Sequence, residues 1–249
     1  MPARSIHISV AALTLIANLM IVNGARAAYT VSGSTGSGVS LRSASVTFDI
    51  SGSDLVVTLT NTAPTDVLVP SDVLTAVFFD VSGGAISLTR TSGLLEGGST
   101  VFYDADGQPA GGVIGGEWAY KSALSGAPGN RSYGISSAGF GLFGPGDLFP
   151  GPDLQPPTSP DGVQYGLLSA GDNSGTGNGG ITGSGGIIKN SVKFTLGGAG
   201  SGFDLNRINN VWFQYGTGLD EPGYAPEPTT LALLTGGIMA ISARRRARN

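Results

Sequence analysis

Polar and apolar side chains alternate through residues 45–50 (SVTFDI), which sets Val46, Phe48 and Ile50 on one face. Beyond Ser51-Gly52-Ser53-Asp54 the alternation resumes, with Leu55, Val57 and Leu59 opposed to Val56, Thr58 and Thr60. A period of two on both sides of a Gly/Ser/Asp turn predicts a β-hairpin with one buried face. Pro64 and Pro70 bound an irregular link, and residues 74–81 (LTAVFFDV) then form a nearly unbroken apolar run. Such a run suits a strand covered on both sides. Further strands are predicted at 86–91, 101–103, 117–121 and 163–169. Residues 187–196, where Val192, Phe194 and Leu196 alternate with Ser191, Lys193 and Thr195, and residues 208–215 (INNVWFQY) close the series. In the last of these, Val211, Phe213 and Tyr215 share one face, and Trp212 and Gln214 the other.

Two stretches between the strands lack any period. Residues 139–162 carry six prolines, and residues 171–186 contain eight glycines in 16 positions, which reads as a flexible loop or linker. No helical period appears between the two ends. The expectation is an all-β fold: a single antiparallel β-sandwich, jelly-roll-like, with Gly- and Pro-rich loops. Its last two strands would complete a sheet begun by the first hairpin.

The two ends are patterned differently. Arg4 precedes an apolar stretch over residues 6–22, and Ala25-Arg26-Ala27 follows as a small-x-small site. This is the layout of a signal peptide, with cleavage before Ala28; the alternative is an N-terminal membrane helix. At the other end, Pro226-Glu227-Pro228 precedes the apolar run 229–243, built on Leu231, Leu233, Leu234, Ile238, Met239 and Ile241. Fifteen residues of helix rise ~22 Å, short of the ~30 Å hydrocarbon core, and Gly236-Gly237 weakens the helix further. Arg244, Arg245, Arg246 and Arg248 can hold its end at the cytoplasmic headgroups. A transient hold on the inner membrane fits these lengths, with a plain C-terminal anchor as the alternative.

The order of these three elements, a Pro-Glu-Pro motif, a short apolar run and an arginine cluster, resembles the PEP-CTERM sorting signal of Gram-negative bacteria. That resemblance implies recognition by an exosortase at Pro226-Glu227-Pro228, removal of the tail, and release to or attachment at the surface. The chain is then substrate, not catalyst. It divides into a signal peptide (1–27), a β-sandwich domain (28–222) and a sorting signal (223–249). Signal peptidase and exosortase are the processing partners it implies. Segments 115–121, 160–166 and 210–217 also resemble those of exosortase-dependent surface proteins of the XDD type, a resemblance that implies no known activity.

Composition narrows the function classes. Residues 28–225 contain 16 Asp and Glu against seven Lys and Arg, a net −9, which the whole-chain value of −4 conceals. An acidic body lacks the basic footprint of nucleic-acid binding. The chain has no cysteine, and its one histidine, His7, lies in the signal peptide. Thiol catalysis, Ser-His-Asp arrangements and most zinc chemistry are thereby excluded from the mature protein. Glycine reaches 42 of 249 residues, which suits strands joined by tight turns and not helices.

Three constellations remain. Asp104-Ala105-Asp106-Gly107 begins like a calcium loop, but the twelfth position is Gly115 and not a glutamate. A looser Ca2+ site would add Glu117; the plain alternative is ordinary turn chemistry. Glu117 with Asp104 or Asp106 would also serve a carboxylate-based polysaccharide hydrolase, although solvated acids on turns are the commoner case. Trp118 and Trp212, with Tyr120, Phe213 and Tyr215, offer either a sugar-stacking surface or core packing. The reading reached from the sequence is an exported, non-enzymatic surface or extracellular-matrix protein with a structural or adhesive role. A carbohydrate- or calcium-dependent binding module is the alternative, with extracellular polysaccharide as the partner.

Overall fold

The computed structural model describes residues 28–36, 38, 41–104, 107–144, 154 and 162–226. Ala25, Ala27, Asp106, Glu227, Pro228 and the apolar and arginine positions from Leu231 to Arg248 lie outside the described residues. Among the described residues no helix is long and apolar enough to cross a membrane.

Eleven strands are described: β1 (Tyr29–Thr35), β2 (Arg42–Ser51), β3 (Asp54–Asn61), β4 (Leu74–Val81), β5 (Thr89–Phe102), β6 (Ala119–Ser122), β7 (Tyr133–Ser136), β8 (Leu167–Leu168), β9 (Ile187–Gly197), β10 (Ile208–Tyr215) and β11 (Gly223–Tyr224). The expected hairpin is β2–β3, in register from Ala44↔Asn61 to Ser51↔Asp54. Gly52 takes φ +62° at the first turn position, the backbone that lets a two-residue loop match strand twist.

One half of the sheet runs β1-β2-β3-β9-β5 and the other β11-β10-β4-β7-β6. The halves are joined through β8, which pairs with β4 at Leu74↔Leu167 and runs parallel to β9 at Leu167↔Ile188. They pack face to face. Val46, Phe48, Leu55, Val57, Leu59, Val192, Phe194 and Leu196 of the first half share one core with Val77, Phe79, Ile135, Val211, Phe213 and Tyr215 of the second. Phe48 meets Phe79 edge-on at 5.2 Å between ring centroids.

The second half is also covered outside. Ala76 and Phe78 of β4 pack with Ala119, Ala127 and Phe143, with Leu124, Phe140, Leu142 and Trp212 at the margin. This is why 74–81 is apolar at almost every position. Gly134 is small of necessity: a Cβ there would lie 2.7 Å from the Phe78 ring.

Four expectations change. Strands predicted at 86–91 and 101–103 are the two ends of β5, whose ladder with β9 is interrupted between Glu96 and Thr100. Gly97 and Gly98, both at positive φ, accommodate that bulge. The strand expected over 163–169 shrinks to Leu167–Leu168, because Tyr165 sits at φ +56° and Gly166 N–H donates back to Val163 O in a turn. Residues 171–186 are not a loose linker. They form the β8-to-β9 crossover that a parallel pair requires, with a four-residue helix, α1 (Gly179–Thr182), and a buried Ile181. Finally, of the last two strands only β9 extends the sheet of the first hairpin, through β3; β10 pairs with β4 in the other half.

Candidate functional site

Two of the acidic residues singled out by sequence, Asp104 and Glu117, line one cleft. After β5, Val101 N–H donates to Gln108 Oε1 at 2.8 Å and the Gln108 amide donates to Val101 O, tying Gln108 back to the end of the strand. Gly107 takes φ +84° and its N–H donates to Asp104 O. The Glu117 N–H donates to Ile114 O at 3.0 Å, placing a buried Glu117 just before β6. Asp104, Gln108, Ile114, Glu117, Gln164 and Tyr165 line a cavity of about 630 Å³, within the size range of small-ligand sites. Tyr165 was not singled out by sequence. Its hydroxyl donates to Asp104 Oδ2 from 61 positions away, a contact no local pattern announces. Among the described residues no group of three His, Cys, Asp or Glu is placed to hold a metal; Asp106, the other member of the suspected Ca2+ set, lies outside them. The cavity thus presents two carboxylates, two amides and a phenol beside apolar Ile114 and Val113.

Trp118 is not on the surface. It is fully buried, its ring centroid 4.9 Å from that of Phe194, and its Nε1–H donates to Tyr165 O at 3.1 Å. The largest side chain of the core thereby braces the cleft from behind, with Tyr165 holding Trp118 by its carbonyl and Asp104 by its hydroxyl. Tyr120 is buried too, and burial, with Tyr133 adding to it, pushes its phenol far above the ordinary value.

Trp212 does face away from the core, as the alternation in β10 predicts, but it is half-buried and engaged. Its Nε1–H donates to Gln214 Oε1 at 3.0 Å, and the Arg131 guanidinium lies 5.1 Å from the ring centroid. Arg131 is itself buried, donating to Asn210 O, Pro128 O and Val211 O. A ring face that sugar stacking would use is therefore occupied. Trp118 and Trp212 sit on opposite faces of the second half-sheet, so they form no common platform.

The last described segment leads to the sorting motif. In β11, Tyr224 pairs with Phe213 and Gly223 with Gln214. The Tyr224 hydroxyl accepts from Ala44 N–H at 2.9 Å and donates to Gly33 O at 2.6 Å. Gly33 and Ala44 are partners in the β1–β2 ladder, so the hydroxyl bridges one edge of the first half-sheet to β11 of the second. Ala225 is exposed, whereas Pro226 is partly covered by β1. A Cβ on Gly33 would lie 3.2 Å from both Cα and Cβ of Pro226.

Comparison with known protein families finds a PEP-CTERM protein-sorting motif at residues 225–246. No curated protein and no solved structure matches the chain. The motif marks an exported protein, sorted by an exosortase to the cell envelope or surface.

Proposed function

We propose that the body of this exosortase-sorted protein is a structural or adhesive component of the cell surface or extracellular polysaccharide matrix, and not an enzyme. The observation that carries this reading is where the functional-looking side chains go. Trp118, Tyr120, Phe213 and Tyr215 fill the interior, while Arg131, Asp172 and Gln214 are buried holding loop backbone. What the fold turns outward is an acidic, hydroxyl-rich surface on a rigid frame. With no histidine or cysteine in the mature body, carboxylate hydrolysis is the catalytic alternative weighed against it. The test is a strain in which residues 28–222 are deleted between intact signals. Loss of matrix cohesion or cell adhesion is expected, and mass spectrometry of the wild-type protein from the cell surface should show both ends shortened. Unchanged cohesion and adhesion would overturn the reading.

A second reading, a carbohydrate-binding module, is favoured by the cleft at Asp104, Glu117 and Tyr165. Two of the three segments that carry the XDD-type resemblance, 115–121 and 160–166, meet there through the Trp118–Tyr165 hydrogen bond. Affinity electrophoresis of the mature body in extracted matrix polysaccharide checks it: retardation that Asp104→Asn with Glu117→Gln abolishes supports the module. A melting temperature raised by calcium and restored by chelator would add the ion. Sugar release lost in Glu117→Gln would instead favour the hydrolase.

A further inference from the structure

We infer that Tyr224 and Gly33 are positioning residues for sorting: they clamp the start of the motif to the folded body, and the exosortase engages the chain only when β11 is undocked. The inference rests on the sorting motif, and on contacts that lie immediately before it.

Three observations converge. First, Tyr224 is a buried side chain two residues before Pro226, and its single hydroxyl bridges Ala44 N–H and Gly33 O. A phenol lodged between backbone groups of two paired strand residues, stacked on Tyr215 and tilted against Phe213, anchors the chain firmly for a two-residue strand. Second, Pro226 lies on Gly33 so closely that even a methyl group there would crowd its Cα and Cβ at 3.2 Å. A protease commonly grips the residues before its cleavage point as an extended strand against its own backbone. With β1 against Pro226 and β10 paired to one edge of β11, that grip competes with contacts to the body. Third, the apolar run begins at position 229, three residues beyond Pro226. Three residues reach at most about 10 Å, so a clamped Pro226 holds the folded body close to the bilayer, where the enzyme that reads the motif must approach.

The clamp therefore sets an order of events: the tail is processed before β11 docks, or during its transient release. Two hydrogen bonds shift a docking equilibrium by roughly tenfold or more, so a reaction that proceeds through the undocked state should respond on that scale.

The experiment follows the full-length precursor in cells that contain the sorting enzyme, by pulse labelling and mass spectrometry of the C-terminus. Four chains are compared: wild type, Tyr224→Phe, a six-residue Gly/Ser spacer between Ala225 and Pro226, and both changes together. The spacer adds a mean reach of about 13 Å and leaves every body residue unchanged. The expected result is processing about tenfold faster for Tyr224→Phe and for the spacer, with no further gain in the combination. General loosening of the fold would instead accelerate processing in the spacer background as well, and would overturn the clamp. Equal rates for wild type and spacer chain would overturn it too, even if Tyr224→Phe fails to fold. No shortening in any chain would remove the sorting reading along with it.

Discussion

Trp212 donates its indole N–H to Oε1 of Gln214, two positions along the same face of β10, at 3.0 Å. The amide nitrogen of Gln214 meanwhile lies 3.0–3.3 Å from the carbonyls of Tyr215, Gly218, Glu221 and Pro222. One fully buried amide thus gathers the whole turn between β10 and β11 and fixes the indole beside it. An amide nitrogen carries two donors, so Gln214→Leu, which keeps the size of the side chain, strands roughly two buried carbonyls at about 1–2 kcal/mol each. The expected loss is about 2–4 kcal/mol, read from urea unfolding of the mature body.

The two tryptophans give a direct optical check of the layers, since the chain contains no others. Trp118 is enclosed against Phe194, whereas Trp212 is half-exposed under Arg131. Trp212→Phe should leave a blue-shifted emission that acrylamide quenches poorly. Trp118→Phe should leave a redder emission, quenched readily, and a protein less stable by about 1–3 kcal/mol through lost volume and the lost bond to Tyr165 O. Equal quenching of the two variants would refute the layer assignment.

Asp172 predicts a pH dependence. Burial raises its carboxyl above the ordinary value, against the opposing Val67 N–H bond at 2.6 Å; nearby Asp66 raises it further and Lys189 lowers it. A group whose folded value is raised favours the fold when protonated. Its contribution is complete below the unfolded value near 3.9 and is lost as pH rises through the folded value. Asp172→Asn keeps an oxygen for Val67 N–H and removes the ionisation. It should match wild type in thermal unfolding at pH 3 and exceed it at pH 7; a lower melting temperature at pH 7 would contradict the assignment.

Gly134 and Gly179 should respond oppositely to alanine. At Gly134 the new methyl would meet the Phe78 ring at 2.7 Å and Leu124 at 3.0 Å, an overpacking that costs about 1–3 kcal/mol. At Gly179, in α1, nothing lies within 4 Å, and the reduced freedom of the unfolded chain should stabilise by about 0.4–1 kcal/mol. Thermal unfolding of the two variants reads the sign directly.

What the chain discloses about itself follows from how local each signal is. The β2–β3 hairpin and the two faces of β10 are written in neighbouring residues, as is the double covering of β4. Trp212 was placed outward by the alternation on either side of it. Trp118 was not legible in the same way, because it precedes a four-residue strand whose facing is decided by Phe194 and Tyr165, far along the chain. Gly97 and Gly98 broke the period of β5 and hid a continuous strand. Among the glycines of 171–186, a single apolar residue, Ile181, marks that the crossover is packed. The cleft was half visible: Asp104 and Glu117 stood out as acids, but Tyr165, which ties one of them to the core, carried no local mark. The Tyr224 bridge joins residues 180 and 191 positions apart and was invisible until the two half-sheets were in place.

The register of β3 on β9 has a consequence for traffic through the membrane. Leu59 finds its partner Val192 only when most of the body has emerged, so the core face of β1–β2–β3 waits for β9 before the sheet is extended. A polypeptide delivered amino end first therefore closes its first half-sheet only after residues 187–197 are outside.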